Sequence, residues 1–259
     1  MSVDLSRRLA GKIAVVTGGG GGIGLASARR LHAEGASVVV GDIDGQSGAA
    51  AAHELGGLFV GVDVSDEAAV NTLFDTAADV YGSVDIAVNN AGISPPDDEL
   101  IENTELPAWQ RVQDVNLKSV YLCCRAALRH MAPAGHGSIV NIASFVAVMG
   151  SATSQISYTA SKGGVLAMSR ELGVQFARQG IRVNALCPGP VNTPLLQELF
   201  AKDPDRAARR LVHVPMGRFA EVDEVAAAVA FLASDDASFI TAATFLVDGG
   251  ISAAYTTPL

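Results

Sequence analysis

The residues best suited to chemistry are a tyrosine and a lysine four positions apart, Tyr158 and Lys162. On a helix, residues with this spacing share one face, with Cβ atoms about 5 to 6 Å apart. A tyrosine acts as a base near neutral pH only if its pKa falls well below its ordinary value near 10. An ammonium at about 5 Å supplies roughly 3 kcal/mol toward that change at an effective dielectric constant of 20. The electrostatics therefore suffice in principle for a proton-transfer site, although a Tyr/Lys pair taken alone is more often a surface feature.

A second chemical feature is the glycine run TGGGGGIG, from Thr17 to Gly24. The run follows a short β-branched segment and leads directly into an Ala/Leu-rich segment of helical length. Glycine lets backbone N–H groups approach a phosphate closely, and a helix N-terminus adds unpaired donors and partial positive charge. The context of strand, turn and helix therefore predicts a site for the pyrophosphate of a dinucleotide.

An acidic residue, Asp42, ends the second apolar segment about twenty residues further on. A carboxylate at this position accepts hydrogen bonds from the ribose hydroxyls of the adenosine and repels a 2′-phosphate. At roughly 5 Å, each pair of like unit charges costs about 3 kcal/mol at an effective dielectric constant of 20. No Lys or Arg between Thr17 and Leu25 offsets this repulsion. We therefore expect NAD(H) rather than NADP(H), with Asp44 as the competing carboxylate.

These residues lie at the ends of short apolar segments that alternate with segments of helical length. Nearly continuous apolar residues predict buried parallel strands over Ile13–Thr17, Ser37–Asp42, Leu58–Val62, Asp85–Asn89, Ser138–Ile142, Arg182–Leu186 and Thr244–Val247. Helical spacing predicts helices over Ile23–Glu34, Glu67–Tyr81, Leu106–Met131, Tyr158–Arg178 and Val222–Ala233. The alternation predicts an α/β protein: a Rossmann fold whose doubly wound, seven-stranded parallel sheet has helices on both faces.

No linker, repeat or low-complexity tract interrupts the alternation, so residues 1–259 are predicted to form a single domain. The longest segment without a place in it, Pro188–Phe219, is a candidate lid over the substrate. Apolar residues in this segment and after the fifth strand predict a partly apolar substrate. They are Leu195, Leu196, Leu199 and Phe200, and Phe145, Val146, Val148 and Met149.

Composition excludes several classes of function. A net charge of −9 over 259 residues argues against a nucleic-acid partner, which requires a basic surface. No apolar run reaches the length of a membrane span, and residues 1–12 do not resemble a signal peptide. Cys123, Cys124 and Cys187 have neither zinc spacing nor the pattern of a disulfide framework. We therefore expect a soluble, cytoplasmic protein with no metal, in which the cysteines are inert and His213 is a surface or packing residue.

Three motifs in order along the chain resemble those of one enzyme family. They are TGxxxGIG at Thr17–Gly24, NNAG at Asn89–Gly92 and YxxxK at Tyr158–Lys162. The sequence resembles the classical short-chain dehydrogenases/reductases from about Leu9 to Gly250. This resemblance implies a nicotinamide-dependent enzyme that interconverts a secondary alcohol and a ketone.

The resemblance also implies a role for each of four residues. Tyr158 is the general acid/base, and Lys162 holds the nicotinamide ribose and lowers the pKa of the tyrosine. Ser144 polarises the substrate carbonyl, and Asn116 supports a proton-relay water. An alternative interpretation of Asn116 is a helix-surface amide.

The serine assignment carries one departure from the family pattern. The interval from Ser144 to Tyr158 is one residue longer than expected, and Ser151, Ser154 and Ser157 lie nearby. Ser144 is preferred because it follows the carboxyl end of a predicted strand, where ligands bind in this architecture.

The resemblance assigns cofactor contacts along the whole chain. Besides Asp42, Tyr158 and Lys162, they are Gly18, Gly22, Ile23 and Gly24 in the turn, Asp63 and Val64 beside the adenine, Asn89, Ala91 and Gly92 in the middle, and Pro188, Gly189, Val191 and Thr193 near the carboxamide. Alternative interpretations are that Asp63 caps the next helix and that Pro188-Gly189 forms only a turn.

We therefore expect an NAD-dependent alcohol/ketone oxidoreductase acting on a small, partly apolar molecule. A reductase of 3-oxoacyl thioesters is the specific alternative, although such enzymes commonly favour NADPH. A non-catalytic nucleotide-binding regulator is the alternative from another class, because fold does not fix function. The resemblance further implies a homotetramer, paired through the two longest predicted helices and through the C-terminal strand. The apolar tail, Ile251–Leu259, is expected to dock on its own or a neighbouring subunit.

Overall fold

The computed structural model describes residues 7–151, 153–193, 196–197 and 211–255. Its strands are β1 Ile13–Thr17, β2 Ser37–Asp42, β3 Leu58–Gly61, β4 Ile86–Asn89, β5 Gly137–Ile142, β6 Ile181–Pro188 and β7 Thr244–Val247. They form one parallel sheet in the order β3-β2-β1-β4-β5-β6-β7. The order reverses between β1 and β4, so the carboxyl ends of these two strands flank the crevice where ligands bind in this fold.

Helices cover both faces of the sheet. They are α1 Gly22–Ala33, α2 Gly45–Glu54, α3 Glu67–Tyr81, α4 Leu106–Gln113, α5 Ser119–Ala134, α6 Ile156–Gln175 and α7 Val222–Ala233. Alternate strand residues face opposite sides: Val15 packs with α3, α5 and α6, whereas Val16 packs with α1, α2 and α7. The predicted doubly wound α/β fold with seven parallel strands is confirmed, and strand ends differ from the predictions by one or two residues.

Helix α2 was absent from the sequence prediction. Its sequence, GQSGAAAAHE, buries only Gly48, Ala51 and Ala52, so it lacks the large apolar residues that reveal helical periodicity. Small residues are required here because a Cβ at Gly48 would lie 2.3 Å from the ring of Phe59. The helix is capped by Asp44, whose side chain accepts hydrogen bonds from the N–H groups of Gln46 and Ser47.

The predicted helix Leu106–Met131 is interrupted in the structure. Helices α4 and α5 are joined by a π-helical turn, Asp114–Lys118, and α5 runs on to Ala134. Single π-helical turns inside helices are frequent at functional sites. Asn116 lies in this turn and is fully buried. Helix α6 also differs: it begins at Ile156, two residues before Tyr158, and ends at Gln175.

The predicted lid, Pro188–Phe219, falls only partly within the described residues, and Leu195, Leu199 and Phe200 lie outside them. In the described part, Val191 forms a β-bridge with Ala220. Of the tail, residues 251–255 are described. Within the described portion of the chain, no helix has the length and apolar character needed to cross a membrane.

Candidate active site

The glycine-rich turn between β1 and α1 forms one end of a long cleft. Gly18 and Gly22 have φ of +63° and +51°, a region that favours glycine. A Cβ on Gly24 would overlap the carbonyl oxygen of Gly18, which shows why this position admits no side chain. Helix α1 starts after Gly21 without a side-chain cap. Unpaired N–H groups in an open glycine cradle fit the pyrophosphate of a dinucleotide.

The turn is fixed by Asn90, a residue that the sequence analysis did not single out. Its side-chain amide donates to the carbonyls of Thr17, at 3.0 Å, and Gly18, at 3.2 Å. Its backbone N–H donates to the hydroxyl of Thr17 at 3.0 Å. The NNAG motif, placed directly after β4, was the available signal. Asn90 thereby ties the end of β4 to the glycine turn.

The other asparagine of the motif, Asn89, is not in the cleft, which corrects its assignment as a cofactor contact. It is buried on β4, and its side-chain amide donates to the Oδ1 atom of Asn141 at 2.8 Å. Asn90 directly follows β4 and is the asparagine of the motif that lines the cleft.

The two competing carboxylates, Asp42 and Asp44, have different positions. Asp42 lines the cleft at the end of β2, and its Oδ2 atom accepts a hydrogen bond from the N–H of Gly20 at 2.8 Å. Asp44 is occupied as the cap of α2 and does not line the cleft. The structure therefore favours Asp42 as the carboxylate that faces the adenosine ribose.

Beyond β3, Asp63 and Val64 line the same end of the cleft, as predicted from the resemblance. The Oδ1 atom of Asp63 accepts hydrogen bonds from the N–H and hydroxyl groups of Ser65. Helix α3 is capped by Asp66, which accepts from the N–H of Ala69 at 2.8 Å. The alternative interpretation of Asp63 as a helix cap is therefore wrong.

Tyr158, Lys162 and Ser144 meet at the carboxyl end of β5. The Nζ atom of Lys162 donates to the carbonyl of Ile142 at 2.8 Å and lies 5.6 Å from the centre of the Tyr158 ring. The side chains of Tyr158 and Ser144 line the same part of the molecule, and the Ser144 hydroxyl acts to lower the pKa of the tyrosine. Ser144 follows β5 and begins a short 3₁₀ turn, Phe145–Ala147. Three groups that move or hold protons thus lie within one cluster.

The electrostatics of this cluster differ from the sequence expectation. Burial raises the pKa of Tyr158 above its ordinary value, and the Ser144 hydroxyl opposes this effect. Burial also lowers the pKa of Lys162 to about 8, from 10.5. The ammonium was expected to lower the pKa of the tyrosine, but desolvation of the phenolate is the largest effect on that pKa and raises it.

The nearby serines can now be distinguished. Ser157 is fully buried and lies outside the cleft lining. Ser151 and Ser154 line the cleft, and the Ser151 hydroxyl donates to the carbonyl of Thr153 at 2.7 Å. Ser144 lines the cleft directly after β5, and its hydroxyl is the one that influences the pKa of Tyr158.

Asn116 and Gly24 are buried behind the cleft rather than in its lining. The Oδ1 atom of Asn116 accepts from the N–H of Ile93, and its Nδ2 atom donates to the carbonyl of the same residue, both at 2.8 Å. Its Nδ2 atom also donates to the hydroxyl of Ser161 at 3.3 Å. The structure therefore shows Asn116 as a clamp on the loop after β4, and the helix-surface interpretation is wrong.

The other predicted cofactor contacts lie together along the cleft. They are Gly18, Gly22, Ile23, Ala91, Gly92, Pro188, Gly189, Val191 and Thr193. The lining also contains apolar side chains from several elements: Ile93, Phe145, Met149, Leu196, Ile251 and Tyr255. The cleft therefore offers the glycine turn to a nucleotide and apolar surface to a substrate.

Metal and thiol chemistry find no support in the described residues. No group of three or more His, Cys, Asp or Glu side chains there is arranged to hold a metal ion. The three cysteines are buried and free. Burial raises the pKa of Cys124 to about 12 and that of Cys187 to about 11, which disfavours the reactive thiolate.

Comparisons with known proteins agree with this site. A family model described as enoyl-(acyl carrier protein) reductase matches residues 18–252. The chain is 46% identical over 253 residues to cis-4-hydroxycyclohexanecarboxylate dehydrogenase of Sinomonas cyclohexanicum, covering 96% of this chain and 100% of the relative. It is 43% identical to 3beta-hydroxysteroid dehydrogenase 1 of Eggerthella lenta, covering 94% and 95%. The solved structure of levodione reductase superposes with a TM-score of 0.89 at 35% identity, covering 95% of this chain and 99% of that one.

The parallel sheet, the glycine cradle and the Tyr-Lys-Ser cluster define a dinucleotide-binding oxidoreductase. The family model and the relatives specify the class further: the chain belongs to the short-chain dehydrogenase/reductase family. It is an enzyme that uses a nicotinamide cofactor to interconvert alcohols and ketones.

Proposed function

We propose that this enzyme is an NAD(H)-dependent dehydrogenase of secondary alcohols on carbocyclic rings. The observation that carries this proposal is that Tyr158 and Ser144 line one cleft together with the glycine turn and with apolar side chains. A hydroxyl placed there meets a proton acceptor and a hydrogen-bond donor, while its carbon skeleton lies among apolar side chains.

Asp42 supports NAD(H) over NADP(H). Its carboxylate lies at the end of β2, lines the cleft and repels a 2′-phosphate. Among the described residues that line the cleft, the two Lys or Arg side chains are already engaged. Arg111 pairs with Asp97 at 2.7 Å, and Lys162 donates to the carbonyl of Ile142. Neither offsets the charge of Asp42.

The roles of the cluster follow from its geometry. Tyr158 exchanges a proton with the substrate oxygen, and the Ser144 hydroxyl donates to that oxygen as negative charge develops. Lys162 lies next to Gly92, where a Cβ would be 3.5 Å from Nζ, and it would hold the ribose hydroxyls of the nicotinamide half. The nicotinamide, when bound, supplies the hydride acceptor or donor. Asn116 keeps the loop at Ile93 in place beside them.

The substrate class is proposed from the apolar surface of the cleft and from the relatives. Their names specify a hydroxycyclohexanecarboxylate, hydroxysteroids and, for a 35% identical relative from Sphingobium indicum, a cyclohexadiene-1,4-diol. In each of these compounds, a hydroxyl group lies on a carbocyclic ring. Phe145, Met149 and Ile251 provide apolar surface of the kind that such a ring buries.

The test is the rate of NADH formation with a panel of alcohols: cyclohexanol, cis-4-hydroxycyclohexanecarboxylate and a 3β-hydroxysteroid. The same alcohols are assayed with NADP, and acetoacetyl thioester is assayed with NADH and with NADPH. Turnover of at least one ring alcohol with NAD supports the proposal. Turnover restricted to the thioester with NADPH would overturn it in favour of a 3-oxoacyl-thioester reductase. NADH binding without turnover of any panel member would favour a nucleotide-binding regulator.

We further propose that the chain forms a homotetramer. Large apolar side chains are exposed on the two surfaces named in the sequence analysis. Tyr121 lies on α5 and Val174 on α6, while Leu246 lies on β7 near Phe239 in sequence. Burial of such residues between subunits is favourable. Sedimentation equilibrium tests the assembly, and a monomer at micromolar concentration would contradict it.

A further inference from the structure

Helix α6, which carries Tyr158, begins without a cap of its own. It starts at Ile156 after Gln155, whose side chain makes no capping hydrogen bond. The first N–H bonded within the helix is that of Thr159, which donates to the carbonyl of Gln155 at 3.0 Å. The N–H groups of the three residues before Thr159 therefore need acceptors from elsewhere.

A loop about sixty residues earlier supplies all three acceptors. The carboxylate of Asp98 accepts from the N–H of Ser157 through Oδ1 and from the N–H of Tyr158 through Oδ2, both at 2.8 Å. The carbonyl of Glu99 accepts from the N–H of Ile156 at 3.3 Å. Asp98 is only 5% exposed. Because both oxygens are bonded to helix N–H groups, its buried charge is compensated by hydrogen bonds and by the helix dipole.

The same loop faces the cleft. Pro95, Pro96, Asp98 and Glu99 belong to its lining. Asp97, the neighbour of Asp98, forms a solvent-exposed ion pair with Arg111 of α4, a kind of contact that contributes little to stability. A residue of α4, Gln113, also donates to the carbonyl of Ser157 at 3.0 Å. The position of the Tyr158 backbone is thus set by groups outside its own helix.

We propose that Asp98 is a positioning residue for the reaction: it holds the first turn of α6 so that the Tyr158 hydroxyl meets Ser144. This inference rests on the proposed function for the role of Tyr158. Asp98 acts through the tyrosine backbone, since both of its oxygens are engaged there. An asparagine at position 98 has one acceptor oxygen, and its NH₂ group would face the second helix N–H, donor against donor. An alanine at this position has no side-chain acceptor.

The experiment compares Asp98→Asn, Asp98→Ala and the matched control Asp97→Asn, which removes the neighbouring negative charge but no cap contact. Active sites are counted by NADH titration, and kcat per NADH site is measured with the best alcohol of the panel. A displacement of about 1 Å at a reacting group lowers kcat about 100-fold. We expect a loss of that order in Asp98→Ala, about tenfold in Asp98→Asn and less than twofold in Asp97→Asn, with the Kd for NADH unchanged.

Hydrogen–deuterium exchange gives a readout that needs no substrate. The amides of residues 156–158 should exchange at least tenfold faster in Asp98→Ala than in wild type, and at the wild-type rate in Asp97→Asn. Unchanged exchange, or faster exchange with an unchanged kcat per site, would overturn the inference. If Asp98→Ala does not fold, the inference is tested with Asp98→Asn, by kcat per NADH site and by amide exchange of residues 156–158. A wild-type enzyme without alcohol turnover would refute the proposed function, and exchange would still decide whether Asp98 holds this turn.

Discussion

The two ends of the cleft are built in different ways. At the nucleotide end, backbone N–H groups of a glycine turn are exposed, and the side chains of Asp42 and Asn90 hold that turn through Gly20 and through the carbonyls of Thr17 and Gly18. At the catalytic end, the contacts come from residues distant in sequence. The Lys162 ammonium donates to the carbonyl of Ile142, and the backbone N–H of Tyr158 donates to Asp98. The conformation of the turn itself provides the backbone hydrogen-bond donors, whereas each buried polar side chain needs a specific hydrogen-bond partner. Substitutions are therefore expected to affect binding at the first end and catalysis at the second.

Asn90 joins the two ends. It follows β4, at the beginning of the loop that contains Ile93 and Asp98, and its side chain bonds to the carbonyls of Thr17 and Gly18. One amide therefore connects the glycine turn to the loop that reaches the catalytic end.

The largest effect is expected from Tyr158→Phe at the catalytic end. Removing the hydroxyl eliminates general acid/base catalysis, which contributes about 10²- to 10⁴-fold, so we expect kcat to fall about 10³-fold. The Kd for NADH, measured by fluorescence titration, should stay within about twofold because the glycine turn is unchanged. Turnover near the wild-type level would refute the proposed role of Tyr158 and the separation of the two ends.

Lys162→Met should separate stability from activity at the same end. Burial lowers the pKa of Lys162 to about 8, so at pH 7 the native state carries a buried ammonium that the unfolded chain holds in water. This cost is fully present below pH 8 and disappears as pH rises toward 10.5, because the unfolded chain then also loses the proton. After the lost hydrogen bond is allowed for, the free energy of unfolding should rise by about 2 kcal/mol at pH 7.

Urea denaturation at pH 7 and at pH 9.5 measures this effect. The gain of Lys162→Met over wild type should be larger at pH 7, while turnover is lost at both pH values. A variant less stable than wild type at pH 7 would show that the hydrogen bond to Ile142 outweighs the cost of burial.

At the nucleotide end, Asp42→Ala should change cofactor preference. It removes the acceptor for the ribose and the hydrogen bond to Gly20, so kcat/KM for NAD should fall about tenfold, or about 1.4 kcal/mol. The kcat/KM for NADP should rise because the repulsion between the Asp42 carboxylate and the 2′-phosphate is removed. Initial rates with both cofactors at saturating alcohol measure the change. An unchanged ratio would exclude Asp42 from the ribose site.

The smallest effect is expected from Asp44→Ala, the matched control for Asp42→Ala. Asp44 caps α2 through the N–H groups of Gln46 and Ser47, so its loss should lower the free energy of unfolding slightly. The NAD/NADP ratio should stay at the wild-type value. A changed ratio would show that the cap of α2, rather than the Asp42 charge, sets cofactor preference.

Prediction from the sequence was most successful where the signal is local. Nearly continuous apolar residues marked the seven strands because both faces of the sheet are covered, and the glycine turn was marked by its place between β1 and α1. Prediction failed where small residues concealed a helix, as in α2, and where the pattern continued through an interruption, as in the π-helical turn at Asn116. In both cases, packing against distant residues decided the backbone conformation.

The sequence by itself determined the fold class, the position of the phosphate-binding turn and the pairing of Tyr158 with Lys162, because each depends on spacing within a short segment. Only the tertiary structure decided which of Asn89 and Asn90 faces the cleft, that Asn116 clamps Ile93, and that Asp98 caps the helix of Tyr158. These outcomes depend on contacts between residues 23 to 73 positions apart in the chain. No local pattern records such contacts, since they exist only after the strands have brought the loops together.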